Sequence, residues 1–252
     1  SAIAGGANVA DRLNDAAGIN TSGKIMFVGD SAAPSAEFVG TISTNGSIAH
    51  TIEVANANPA FASVLTANSL TTGTDRTVNF IGTGLPLSES GNNRFSIVNN
   101  PTGLDDGILP MGMVTGPGNT IDFATYGSSS EGFAIIPLPA AAYVTDLSQA
   151  SATSNVRLAA GAPAISTSKS VNSILFDPGA SISGIDATLT VNSGRMIFVN
   201  GGSIGVTNLN AVGGMIDVLA GTATISSNIY AGNVQKGGRG TLALSGDSQT
   251  TG

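Results

Sequence analysis

Residues 22–30 read SGKIMFVGD, and residues 193–201 read SGRMIFVNG. The first seven positions of the two stretches differ only by Lys24 for Arg195 and by an exchange of Ile and Met, although 171 residues separate them (193 − 22 = 171). Each places Ile, Met, Phe and Val in a short run bounded by Ser, Gly, Asn or Asp, as in a short buried strand between turns. One strand-and-turn unit written twice in a chain points to stacked rungs. In that reading Ile/Met and Phe-Val face a core, and Ser-Gly turns the corner before them. Lys24 and Arg195 point outward, which lets them exchange.

Working outward, the chain is mostly pieces of the same kind. KIMFVG (24–29), TVNFIG (77–82), SILFD (173–177), ATLTV (187–191), RMIFVN (195–200), MIDVLAG (215–221), TATISS (222–227) and TLALSG (241–246) are short, apolar and bounded by turn formers. Phe27, Phe80, Phe176 and Phe198 each lie inside such a piece, as stacked core columns require. The last 80 residues repeat them at intervals of roughly 8–20 residues, the spacing of an all-β sandwich, barrel or solenoid. Short strands with Gly- and Asn-rich corners favour a solenoid with rungs of ~20–25 residues, and a sandwich-type module is the competing architecture. Helical signal is confined to NVADRLNDAAG (8–18), with Asn8 as cap and Gly18 as stop, and more weakly to DLSQASATSN (146–155). Residues 99–140 contain Pro101, Pro110, Pro117, Pro137 and Pro139, and proline is confined to sheet edges and bulges. This stretch is expected to leave the regular body. The expected organisation is thus an N-terminal strand block (1–98), a proline/glycine-rich excursion and return (99–164), and a C-terminal strand block (165–252).

Composition narrows the function classes. Charged residues make up 10% of the 252 positions, against ~25% in ordinary soluble domains, and the net charge is −7. Without a Lys/Arg cluster, binding to nucleic acid or to anionic membranes is disfavoured. The absence of Cys removes disulfides and thiolate metal sites. The longest apolar run, FAIIPLPAAAYV (133–144), holds two prolines and is too short to span a bilayer.

Candidate chemistry is sparse. His50 is the only histidine, so a Ser-His-Asp triad would have to use it; the competing reading is a polar residue on a strand face. Gly201-Gly202-Ser203-Ile204-Gly205 matches G-x-S-x-G, but a nucleophile elbow needs a helix after it and another β-like piece follows. Asp105-Asp106 is a carboxylate pair that could take an adventitious calcium ion. Gly237-Gly238-Arg239-Gly240-Thr241 opens like a calcium-binding β-roll repeat but has Thr where Asp is required. Lys24, Arg76, Arg94, Arg157, Lys169, Arg195, Lys236 and Arg239 are scattered, unlike the grouped charges of a polysaccharide-cleaving face. No catalytic, cofactor-binding or metal-ligating residue is assigned.

The C-terminal run VQKGGRGTLALSGDSQTTG (234–252) resembles the autotransporter-associated β-strand repeat, also called the passenger-associated transport repeat: a basic residue, a Gly-rich turn, G-T-L-x-L-S-G, and a polar T-G ending. Asp247, Ser248 and Gln249 depart from the Asn and Tyr usual in that ending. ADRLNDAAG (10–18), SLTTGTDRTVNFIGTGL (69–85), DFATYG (122–127), YVTDLSQASATSNVRLAAG (143–161) and SVNSILFDPGASISG (170–184) are similar to segments of the large surface proteins that carry the repeat. The resemblance implies a right-handed parallel β-helix, part of a long exported protein on the outer membrane of a Gram-negative bacterium, with no shared catalytic residues. The expected function is a structural or adhesive rod or assembly unit; the alternative is a carbohydrate-binding or carbohydrate-cleaving β-helix. Expected partners are further rungs, a second copy, or surface glycans. The excursion at 99–140 is the expected place for a specific contact, because loops on rigid scaffolds carry binding.

Overall fold

A computed structural model describes residues 13–45, 49–72, 76–99, 103–161, 164–211, 213–246 and 248–249. The chain forms two compact units, Ser1–Leu138 and Pro139–Gly252. Both are built from strands, and large parallel ladders run through each.

The N-terminal unit contains β1 (Ile19–Thr21), β2 (Lys24–Val28), β3 (Ser35–Thr44), β4 (Ala49–Ala55), β5 (Ser63–Thr72), β6 (Thr77–Thr83), β7 (Asn93–Ile97), β8 (Gly112–Thr115), β9 (Ile121–Ser129) and β10 (Gly132–Pro137). From β1 to β8, each strand pairs in parallel with the strand two places later. This gives one ladder β1–β3–β5–β7 and another β2–β4–β6–β8. Thr41 lies opposite Ser69, 28 residues on. Then the pattern changes. β9 and β10 form an antiparallel hairpin, β9 pairs antiparallel with β8, and β10 pairs antiparallel with β7. The hairpin therefore covers the final edge of both ladders, and a covered edge offers no free N–H and C=O row to another chain.

The C-terminal unit contains β11 (Tyr143–Val144), β12 (Asn155–Leu158), β13 (Lys169–Phe176), β14 (Ser181–Phe198), β15 (Gly202–Ala211), β16 (Met215–Val218), β17 (Thr222–Ile225), β18 (Asn228–Tyr230), β19 (Gln235–Gly237), β20 (Thr241–Leu244) and β21 (Ser248–Gln249). Every pairing between these strands is parallel. Three ladders result: β11–β12–β13–β14–β16–β19, β14–β15–β17–β20, and β13–β14–β15–β18–β21. Arg195 lies opposite Met215 and Asn208 opposite Asn228, each 20 residues on.

Register converts this repetition into a core. With parallel strands in register, like side chains stack at the ~4.8 Å strand spacing. Val156, Ile174, Met196 and Ile216 form one column, and Leu158, Phe176, Phe198 and Val218 another; all are buried. The Phe176 and Phe198 rings stack with centroids 4.2 Å apart and planes 6° from parallel. In the N-terminal unit Ile25, Ile52, Phe80 and Val114 are in register, and Phe80 stacks on Phe95 at 5.7 Å. Burying one such side chain contributes ~1.5–3 kcal/mol.

All the short apolar pieces named above lie in strands, and Phe27, Phe80, Phe176 and Phe198 are all buried. Other expectations need correction. Residues 8–12 of the expected helix lie outside the described residues, and 13–18 form bends and a turn. The weaker helix reduces to one 3₁₀ turn at Leu147–Gln149, where the Asp146 side chain accepts from the Ser148 N–H. The proline-rich stretch carries β8, β9 and β10. Pro110 precedes β8, Pro117 lies in the turn after it, and Pro137 and Pro139 end β10 and follow it. There they interrupt no ladder, so the prolines punctuate the strands and do not exclude them.

Candidate functional site

The quoted repeat behaves differently at its two occurrences. Lys24, on β2, is exposed and forms an ion pair with Glu53 of β4 at 2.5 Å. Arg195, on β14, is 1% exposed, contrary to the expectation that it points into solvent. Strand alternation puts Met196 and Phe198 in the core and Arg195 and Ile197 on the opposite face, yet that face is buried too. On the next strand, Met215 and Asp217 share this face. Arg195 Nη1 donates to Met215 Sδ at 2.8 Å, and Nη2 meets Asp217 Oδ2 at 3.4 Å. Asp217 is 0% exposed. Burial raises the Asp217 carboxyl above its ordinary value, with Arg195 and Lys236 opposing; burial likewise lowers Arg195, with Asp217 opposing. The pair is a single long contact in a desolvated place, where the cost of burying two charges offsets much of their attraction. Its signal lay in the sequence as an Arg and an Asp two positions out of step with the 20-residue repeat.

In the other unit, burial pushes Glu53 up. Hydrogen bonds from Lys24 and Thr83 and the Lys24 charge more than offset this, leaving the carboxyl below its ordinary value. Thr83 Oγ1 donates to Glu53 Oε1 at 2.7 Å.

The sequence candidates do not converge. His50 lies on the strand β4, as the competing reading expects, and is 2% exposed. Ser203 is on β15, in register with Ser181 and Thr224, and a strand and not a helix follows the Gly201-Gly202 turn. Asp105 and Asp106 sit in a tight turn with Asp106 at φ 45°; burial and then the Asp106 charge raise Asp105. Among the described residues no three His, Cys, Asp or Glu side chains group as metal ligands.

The Gly-rich motif at 237–241 is a corner between β19 and β20. Gly238 has φ +73°, and a Cβ there would lie 2.1 Å from the carbonyl oxygen of Val218, the last residue of β16. Only glycine fits both demands. Gly246, at the next corner, would bring a Cβ to 2.0 Å from the Ser227 carbonyl. The motif is thus a stacking device: it lets each corner settle directly on the one before.

Polar side chains in register are bonded to one another along the ladders. Thr41 and Ser69 share a hydrogen bond at 2.9 Å, and Asn99 donates to Asn68 at 2.9 Å. Asn228 donates to Asn208 at 3.4 Å, and Asn208 to Thr188 at 3.3 Å. One shallow recess in the N-terminal unit is lined by Asp15, Ala16, Phe38, Gly40, Thr41 and Asn68. Phe38 there is half-buried, the Thr41 hydroxyl is bonded to Ser69, and the Asn68 side-chain oxygen accepts from Asn99. No family model, curated protein or solved structure matches the chain.

Proposed function

We propose that this chain is a structural or adhesive segment of a long exported bacterial cell-surface protein, its two units acting as right-handed parallel β-helix scaffold. The observation that carries this reading is the pair of parallel stacks, each with apolar side chains in register along its ladders. Such an architecture extends by repetition and presents uniform polar faces. The weak charge, the lack of cysteine and the resemblance of residues 234–252 to the passenger-associated transport repeat support export to the surface of a Gram-negative outer membrane. Antibody labelling of the native protein on intact cells tests the reading. Labelling without permeabilisation is expected; labelling only after permeabilisation would overturn it.

The Asp15–Phe38–Thr41–Asn68 recess favours a second reading, carbohydrate binding. A recess lined by a carboxylate residue and an aromatic residue suits an apolar-faced, hydroxyl-rich ligand. Titration with neutral oligosaccharides, before and after Asp15→Asn, decides it. A saturable signal weakened by the substitution supports binding, and no heat or shift with any of them removes this reading.

A further inference from the structure

One ladder of the C-terminal unit carries two outward polar columns that differ in a single respect. On β14, β15 and β18, Leu189, Leu209 and Ile229 stand in register and belong to the core. Strand alternation turns the residues on either side of them the other way. Thr188, Asn208 and Asn228 form one outward column. Thr190, Asn210 and Tyr230 form the other, and Ser170 of β13 is in register with Thr190. All of these side chains are half-buried, and none is charged. The first column satisfies itself: Asn228 donates to Asn208, and Asn208 to Thr188. The second does not. Among the described residues the Thr190 and Tyr230 hydroxyls and the Asn210 amide have no hydrogen-bond partner, and Ser170 donates sideways to Asn192.

What this unbonded row fits follows from its chemistry. Its groups recur at the ~4.8 Å strand spacing, in a line that crosses the strands. A phosphate, sulfate or uronate would meet no cation in the row. A purely apolar partner would strip water from an amide and two hydroxyls and return no hydrogen bond. An uncharged ligand with hydroxyls at each repeat and an apolar ring face meets both demands. Its hydroxyls replace the lost water, and its ring face lies on the Tyr230 ring. An extended β-linked pyranose chain advances by about one strand spacing per sugar, so successive sugars meet Thr190, Asn210 and Tyr230 in turn.

We propose that the Thr190–Asn210–Tyr230 row is a binding track for a linear, uncharged, β-linked polysaccharide, laid across the strands with Tyr230 as its stacking residue. The neighbouring Thr188–Asn208–Asn228 column, bonded along its length, holds the face in shape beside the track and leaves its own amides little to offer. The track lies wholly within the C-terminal unit and shares no residue with the recess at Asp15, Phe38, Thr41 and Asn68. It rests on the adhesive reading only in giving that reading a ligand class and a place.

The test is co-sedimentation of the full chain with insoluble cellulose, with α-linked starch granules as the control. Saturable retention on cellulose and none on starch is expected. Retention should persist at ~1 M salt, because the track has no charge to screen. Tyr230→Ala is expected to weaken retention about tenfold through the lost stacking, and Asn210→Ala to weaken it less. Both positions are half-exposed, and an unchanged circular-dichroism spectrum shows that the variants fold. Asp15→Asn should leave retention as it was. No retention of the native chain on cellulose overturns the inference, as does equal retention on starch or loss of retention in salt. Retention abolished by Asp15→Asn and kept by Tyr230→Ala also overturns it, since the ligand then sits in the recess. Surface labelling of intact cells is independent of these results, so the scaffold reading can survive the loss of the track.

Discussion

The two units solve one packing problem with different geometry. The N-terminal unit uses two parallel ladders, a repeat near 28 residues, and an antiparallel hairpin over its final edge. The C-terminal unit uses three parallel ladders, a repeat near 20 residues, and ends on β19–β21 with no strand beyond them among the described residues. The shorter repeat leaves less chain between strands, so its corners must stack directly and depend on glycine. The longer repeat has room for turns that hydrogen-bond to one another. Asn92, for instance, before β7, donates to the Pro59 carbonyl before β5, and Asn58 donates to the Ser31 carbonyl before β3. Regularity makes the C-terminal unit extensible; irregularity lets the N-terminal unit stop.

The largest expected effect separates the units by their cores. Phe198→Ala removes a fully buried ring stacked on Phe176 and is expected to cost ~3–5 kcal/mol, falling on the C-terminal unit alone. Phe80→Ala should do the same to the N-terminal unit. Hydrogen exchange read by mass spectrometry resolves the two. If either substitution lowers protection equally in both units, they are one cooperative body and the comparison breaks.

Next in size is the buried ion pair. Asp217→Ala leaves Arg195 desolvated without its partner and is expected to cost ~3–5 kcal/mol at most. Arg195→Met with Asp217→Leu together should recover most of that loss, because the pair is poorly placed to offset its own desolvation. Urea titration of the three variants gives the coupling. A double variant as unstable as Asp217→Ala would show that this face needs the charges.

The hairpin gives a smaller test. Gly132 has φ +126°, and a Cβ there would lie 2.5 Å from the Ile97 carbonyl oxygen. Gly132→Ala is expected to cost ~1–3 kcal/mol and to raise exchange first in β9 and β10. Exchange rising evenly through the N-terminal unit would show that the hairpin is more than a cover.

How much of this was legible follows from where each signal resides. The strands and the Phe columns were readable because an apolar run between turn formers is a local pattern. The hairpin was hidden because prolines that bracket strands look, in sequence alone, like prolines that break them. Two ladders against three could not be read either, since that depends on corner angles and not on composition. Lys24 and Arg195 show the limit most sharply. The same position in the same phrase is exposed on β2 and buried on β14, because what lies over a strand's second face is tertiary. Of the candidate site, the 237–241 motif opens like a calcium-binding repeat but fails at Thr241, and its stacking role needed the Val218 carbonyl beside it.

The smallest effect concerns pH, and its sign differs between Glu53 and Asp217. Glu53 is held below its ordinary value of 4.5 despite its burial, so its contribution is complete above that value and is lost as pH falls through the lowered one. Asp217 is raised above 3.8 by burial, so its contribution is complete below that value and is eroded as pH rises through the raised one. Acidification from neutrality should therefore strengthen the C-terminal unit through Asp217, while the loss of Glu53 weakens the N-terminal unit once the pH drops below the ordinary carboxylate range, against the opposite contribution of Asp105, which burial raises. Urea titrations at stepped pH, with each unit followed by its own exchange-protected peptides, measure the two trends. Asp217→Asn should abolish the first and leave the second. Parallel trends in both units would mean that the Asp217 carboxyl titrates as if exposed, and the buried face of β14 and β16 would then have to open in solution.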